Sequence, residues 1–293
     1  MGDGLIRAMT QDRTVRALAA VTTVTVDEAR SRHGTLPTAT AALGRALTAA
    51  SLLGAMLKGD QTVTLRILGD GPLGGIVAWS DALGHVRGYV AHPLVDLPLT
   101  NQGKLNVGAA VGKGTLHVTK DLGLRYPYHG SVPLSSGEIA EDLARYFAIS
   151  EQIPSAVALG VLVAPDGQVL ASGGLVVQLL PGADEEVASY LEQRARALPA
   201  ITSMVYGGHS PKELVEEALG ELPFKIIETR AVSFRCSCDR QKVEETLLAL
   251  GEEELKRLHG GEDGAEVLCR FCRKQYRFSQ EDLDALLAQI RSG

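Results

Sequence analysis

All four cysteines of this 293-residue chain sit near its C-terminus, as Cys236-Ser237-Cys238 and, thirty residues later, Cys269-Arg270-Phe271-Cys272. Thiols one or two residues apart are local chelating pairs, and two such pairs supply the four soft donors that tetrahedral zinc prefers. One intervening residue also holds the Cys236 and Cys238 sulfurs close enough to oxidise readily. Structural disulfides and unrelated buried thiols are the alternatives. The spacing favours a four-cysteine zinc site.

The N-terminus, Met1 to Arg7, has no basic segment followed by an apolar one. It does not read as a secretory signal, and a cytoplasmic protein is expected. In a reducing compartment paired cysteines hold metal or react more often than they staple a fold. The longest apolar run, Ala39 to Leu57, contains Arg45 and several Thr, Ser and Gly residues, so it reads as a buried helix rather than a membrane span. The net charge of -6 gives no general attraction to phosphate backbones, and an aromatic content of 4% offers no evident platform for stacking bases.

Three regions are expected. Residues 1–180 read as an α+β core with mostly antiparallel strands. Thr14 to Asp27 is rich in Val and Thr and reads as strand, and Thr38 to Lys58 reads as a helix capped by Thr38. Thr62 to Ile67 alternates with a period of two, and short turns at Gly69-Asp70-Gly71-Pro72, Asp81 to Gly84 and Gly112-Lys113-Gly114 imply antiparallel neighbours. Ser135 with Glu138 reads as a capping box for a helix to Ala148, and two strands joined at Pro165-Asp166-Gly167 close the core. Residues 181–230 read as a charged helical linker, with Asp184 to Leu198 carrying a thin apolar stripe and Ser210-Pro211-Lys212-Glu213 opening a second helix. Residues 231–293 read as a small module held together by zinc, with Asp239 and Ser279 as helix N-caps.

Other motifs carry less. Gly69-Asp70-Gly71-Pro72-Leu73-Gly74 matches a dinucleotide fingerprint in letters, but no helix follows it, and Gly112-Lys113-Gly114-Thr115 lacks the first glycine of a phosphate loop. Neither implies a bound nucleotide. No nucleophile elbow or paired-histidine motif suggests an enzyme. His259 lies closest to the cysteines, yet four thiolates already complete a tetrahedron. Arg270, Arg273, Lys274 and Arg277, interleaved with Phe271, Tyr276 and Phe278, raise the alternative of a zinc ribbon that binds nucleic acid. The nine basic and nine acidic residues over 235–278 weigh against it.

Cys236-x-Cys238 and Cys269-x-x-Cys272, with Phe271 inside the second pair and Tyr276-Arg277-Phe278 after it, resemble the heat-shock protein 33 family of redox-regulated chaperones. The resemblance extends upstream through Gly69-Asp70-Gly71-Pro72, Gly88-Tyr89-Val90, Val111-Gly112-Lys113-Gly114, Tyr146, Ser150-Glu151-Gln152, Gly173-Gly174 and Pro181. It implies an ATP-independent holdase, not an enzyme. Such a protein is inactive when reduced with one Zn²⁺ on Cys236, Cys238, Cys269 and Cys272. It is activated when Cys236 pairs with Cys238 and Cys269 with Cys272, zinc leaves and the linker unfolds. The resemblance further implies a homodimer when active and unfolding client proteins as partners.

Overall fold

In this computed structural model, which describes residues 2–259 and 264–292, the fold is organised around one helix that is buried on every side. The chain opens with β1 (Gly4–Thr10), β2 (Val15–Val21) and α1 (Thr23–His33), and then enters α2 (Pro37–Gly54). Of the 18 residues of α2 only Pro37 and Arg45 escape full burial. A helix so rich in Ala, Gly, Ser and Thr presents a narrow cylinder, and it packs against strands of both large sheets. Gly44 marks the closest approach, since a Cβ there would lie 2.6 Å from Val26 Cγ1 and 2.8 Å from Val161 Cγ2. Its hydroxyls are satisfied internally: Thr48 donates to the Gly44 carbonyl at 2.9 Å and Ser51 to that of Leu47 at 3.0 Å.

The chain continues through β3 (Thr62–Gly69), β4 (Ile76–Asp81), β5 (His85–Val90), α3 (Val107–Val111), β6 (Gly114–Asp121), β7 (Tyr128–Pro133) and α4 (Ala140–Tyr146). A π-helical turn over Phe147–Glu151 leads into β8 (Ser155–Val163) and β9 (Val169–Leu179). Then come α5 (Glu185–Ala197), α6 (Ile201–Tyr206), α7 (Pro211–Leu219), β10 (Phe224–Ala231) and β11 (Ser233–Phe234). Five strands form one sheet in the order β10-β1-β2-β9-β8, and six form the other in the order β11-β5-β4-β3-β6-β7. Every pairing is antiparallel except the short parallel one of β11 with β5. This is the α+β, mainly antiparallel architecture expected from the short turns.

The chain divides into two compact units, Met1–Arg235 and Cys236–Gly293. Residues 181–230, read from sequence as a separate linker, lie inside the first unit and pack on the outer face of the five-stranded sheet. Leu214, Val215 and Leu219 of α7 are fully buried there, in one cluster with Ile6, Ala8 and Ala17. The strand β10 extends the same sheet by pairing with β1 from Phe224↔Thr10 to Ala231↔Gly4. Leu191, 7% exposed, is the one fully buried residue of α5, so the apolar stripe there is as thin as its sequence implies. The Ser210–Glu213 capping box is present, with Ser210 N–H donating to Glu213 Oε2 at 2.7 Å.

Three local expectations change. Thr23 to Asp27 is helical in α1 rather than extended, because Val26 must fill the notch at Gly44. The helix α4 begins at Ala140 after Ile139 as N-cap, and Asp142 in its first turn accepts from the Ser135 and Ile139 N–H groups at 2.6 and 3.0 Å. Glu138 instead accepts from Gly108 N–H at 3.0 Å and pairs with Arg45. The Gly112-Lys113-Gly114 stretch is not a hairpin turn but the exit of α3, docked on the Gly69-Asp70-Gly71 loop. Asp70 N–H donates to the Lys113 carbonyl at 2.8 Å, and Lys113 N–H returns to Asp70 Oδ1 at 2.7 Å.

The second unit comprises α8 (Arg240–Leu250), α9 (Glu252–His259), the hairpin β12 (Ala265–Leu268) with β13 (Gln275–Phe278), and α10 (Gln280–Ser292). Val243, Leu247, Leu255, Phe278, Leu283 and Leu286 contribute to a small core of its own. Among the described residues no helix is long and apolar enough to cross a membrane.

Candidate metal centre

Two local structures present the cysteines, and both lie in the second unit. Cys236 and Cys238 sit on the extended segment that ends at Asp239, whose carboxylate caps α8 by accepting from Lys242 N–H at 2.8 Å. Lys242 Nζ also donates to the Ser237 carbonyl at 2.7 Å, fixing the residue between the two thiols. Cys269 and Cys272 sit on the turn joining β12 to β13. There Cys269 N–H donates to the Lys274 carbonyl at 3.0 Å, and Arg273 N–H donates back to the Cys269 carbonyl at 2.8 Å. The turn closes only because Arg273 takes a left-handed conformation at φ 61°, a strain of about 1 kcal/mol for a side chain of its kind.

The four Sγ atoms lie within 4.8 Å of one another. Cys236 Sγ is 3.8 Å from Cys269 Sγ, and Cys238 Sγ is 3.3 Å from Cys272 Sγ. No disulfide joins any two of the four cysteines. An ion bound tetrahedrally by sulfur at about 2.3 Å sets its donors about 3.8 Å apart, and the observed separations bracket that edge. The residues present therefore fit a soft tetrahedral cation. Cys238 and Cys269 pack against the small core while Cys272 is 6% exposed, which places the cluster at the edge of a dry region.

Arg240 and Tyr276 bind the two halves together, and neither role was visible in the spacing of the cysteines. Arg240 Nη1 donates to the Arg277 carbonyl at 2.8 Å, Nη2 pairs with Asp282 at 2.9 Å, and the guanidinium lies 4.4 Å from the centre of the Phe278 ring. The Tyr276 hydroxyl donates to Cys238 Sγ at 3.2 Å. For the four thiols on their own, burial pushes Cys236 and Cys272 up. Burial also raises Cys238, but hydrogen bonds from Tyr276 and the neighbouring thiols outweigh it and bring this group down to about 7. Sharing a hydrogen bond with a sulfur that gains charge raises the Tyr276 phenol in turn. Of the cluster, Cys238 is the sulfur whose surroundings favour the thiolate.

Several of the aromatic and basic residues considered for nucleic acid are engaged otherwise. Tyr276 and Phe278 are buried in the module core, Arg277 pairs with Glu266 at 3.3 Å, and Lys274 lies 5.0 Å from the Tyr276 ring centre. Phe271 is half-buried. The side chain of His259 lies outside the described residues.

A buried-helix α+β unit followed by a small four-thiol module defines a class of two-unit proteins built around a cysteine cluster that can hold a metal ion. The family model described as "Hsp33 protein" matches residues 3–279. A "33 kDa chaperonin" of Desulforamulus reducens is 51% identical over 290 residues, covering 99% of both chains. That of a Geobacillus species is 49% identical over 287 residues, with 98% of this chain and 97% of the other covered. The crystal structure of the 33 kDa chaperonin, a heat shock protein 33 homologue, from Thermotoga maritima superposes with a TM-score of 0.93 at 40% identity over the whole of both chains. The chain belongs to the Hsp33 family, a family of chaperones.

Proposed function

We propose that this chain is a redox-regulated, ATP-independent holdase of the cytoplasm, silent when its cysteines are reduced and metal-bound. The observation that carries the reading is the convergence of all four thiols within 4.8 Å in a module with only a small core. Bound Zn²⁺ on Cys236, Cys238, Cys269 and Cys272 would keep the sulfurs as thiolates and contribute about 10 to 16 kcal/mol of apparent folding free energy, as structural zinc does elsewhere.

The sulfurs themselves carry the switch. One thiolate of a pair attacks the O–O bond of a peroxide, becoming a sulfenic acid and releasing hydroxide. The second thiolate attacks that sulfur and expels another hydroxide. Each pair thus gives up two electrons, one peroxide becomes two waters once protonated, and an S–S bond forms. Pairing Cys236 with Cys238 and Cys269 with Cys272 consumes two peroxides and leaves no thiolate donor for the metal. The module then loses its main source of stability. Segments of 181–230 are released from the five-stranded sheet, and the apolar surface around Ile6, Ala8 and Ala17 becomes available to unfolding client proteins. The active species is a homodimer.

The test is light scattering of a heat-unfolded client with reduced and peroxide-treated protein in the absence of ATP, with zinc release followed by a chromogenic chelator. Suppression should appear only after about one zinc per chain is released. Suppression by the reduced, zinc-loaded protein, or unchanged metal content in Cys236→Ser, would overturn the reading.

A further inference from the structure

Of the 13 residues of α5 only Leu191 is fully buried, and the space beneath the helix shows why. A cavity of about 520 Å³ lies between α5 and the outer face of the β8–β9 pair. On its floor Ala156 stands opposite Val177, and Ala158 opposite Leu175. Ala188 and Ala195 line it from α5, and Ala218 from α7. Alanines thus face one another where larger side chains would have met. The void takes the place of the contacts that α5 lacks.

The chemistry of the lining limits what can fill it. Glu192 and Arg196, both exposed, approach each other at 3.7 Å and leave the lining no net charge. The one hydroxyl among the lining residues, that of Ser155, is engaged: it donates to the Ile153 carbonyl at 2.9 Å and accepts from Gln178 Nε2 at 3.0 Å. An ion placed inside would lose its hydration without gaining a partner. An apolar cavity of about 150 Å³ stays dry and takes up benzene, so about 520 Å³ has room for a molecule of roughly three such rings. The volume falls within the range of small-molecule sites.

We propose that in the reduced protein this cavity binds a neutral, apolar small molecule that completes the attachment of α5 to the sheet. The regulatory consequence rests on the holdase reading. The cavity exists only while α5, α7 and the β8–β9 pair are together, so its occupant binds the reduced form and loses its site when segments of 181–230 are released. Linkage then runs in both directions. The occupant opposes release of α5, and release expels the occupant. An apolar metabolite or drug of this class would delay the response to oxidant without touching the cysteines.

The test uses the full-length reduced, zinc-loaded protein and N-phenyl-1-naphthylamine, a neutral fluorophore that brightens when it leaves water. Its fluorescence should saturate as a single class of site. Ala158→Phe fills the space from the floor, and Ala195→Phe fills it from an exposed position on α5. Either should weaken binding about tenfold or more, since a ring displaced from the cavity forfeits its burial. Leu124→Ser, at an exposed position remote in sequence, should leave binding unchanged. At a free concentration about 100 times its dissociation constant, the fluorophore should lower the opened population of α5 about 100-fold. Amide exchange reads this as added protection in α5 with β3 and β4 unchanged. Equal binding by wild type and a folded filled variant would overturn the inference, and the two variants reach the space from opposite walls, so that one misfolded variant leaves the other to decide. So would binding that leaves exchange in α5 unaltered. After peroxide treatment the fluorophore should delay suppression of client aggregation in the wild type and cause no delay in Ala158→Phe. If α5 were protected and suppression still came without delay, the ligand site would stand and the release of α5 in the holdase reading would fall.

Discussion

Leu214 is the residue through which the attachment of the 181–230 segment can be measured most directly. It is fully buried in α7, in the same cluster as Leu219, Ile6 and Ala17. Truncation to alanine in such a setting removes three carbons and leaves a void, a change that costs about 3 kcal/mol or more. If α7 opens as a unit separate from the strands beneath it, the whole of this loss falls on its opening equilibrium. At about 1.4 kcal/mol per factor of ten, the opened population of α7 rises roughly 100-fold. Amide exchange in the reduced, zinc-loaded protein reads this change site by site. Residues of α7 in Leu214→Ala should exchange roughly 100-fold faster while β3 and β4, which belong to the other sheet, keep their protection. A uniform acceleration across both sheets would refute the reasoning, because the segment would then share one cooperative unit with the core. So would an unchanged α7 in a protein whose overall stability had dropped.

Two further outcomes follow from particular contacts. Tyr276→Phe removes the hydroxyl that donates to Cys238 Sγ at 3.2 Å and should weaken zinc affinity about tenfold, the lower end for loss of an outer partner, as read by competition with a chromogenic chelator. Gly69→Ala would place a Cβ 1.9 Å from the Val111 carbonyl oxygen. Backbone must shift to relieve it, so thermal unfolding should fall by several degrees, with about 1 to 3 kcal/mol lost, while metal content stays at the wild-type value.

The parts of this protein legible in its sequence are those whose determinants are local. Cysteine spacing gave the cluster, because chelating pairs are made by neighbouring residues. The Ser210–Glu213 box and the Asp239 cap likewise act within one turn. The attachment of 181–230 was not legible. Leu214, Val215, Ala218 and Leu219 form a clear helical stripe, but the surface that receives it is made by β1 and β2 at the opposite end of the chain. Thr23 to Asp27 has the composition of a strand, and the demand for Val26 at the Gly44 notch overrides that preference. The roles of Arg240 and Tyr276 were not legible either, because their targets, the Arg277 carbonyl and Cys238 Sγ, are set by the closure of the module.

The attachment of 181–230 is uneven, and this constrains how oxidation could release it. In chain order the cysteines are followed backwards by β11, β10, α7, α6 and α5. Next to Cys236, Phe234 is buried with the Arg32 guanidinium 5.2 Å from its ring centre. Arg235 Nη1 contacts His85 Nε2 at 3.1 Å, and His85 in turn holds Asp81 at 2.8 Å. Beyond them stand the seven registered pairs of β10 with β1 and the four buried residues of α7. The helix α5, with Leu191 alone fully buried, lies furthest along the chain from the cysteines. Unfolding that travelled along the chain from the cysteines would have to strip β10 from β1 before reaching α5. Unfolding governed by local stability would free α5 first and leave β10 paired. Pulse-labelled exchange during peroxide treatment separates the two orders. Early loss of protection in α5 with β10 still protected means that loss of the metal site lowers a barrier already low at the far end. The reverse order means that β11 and β10 transmit the signal, and His85→Ala should then hasten release.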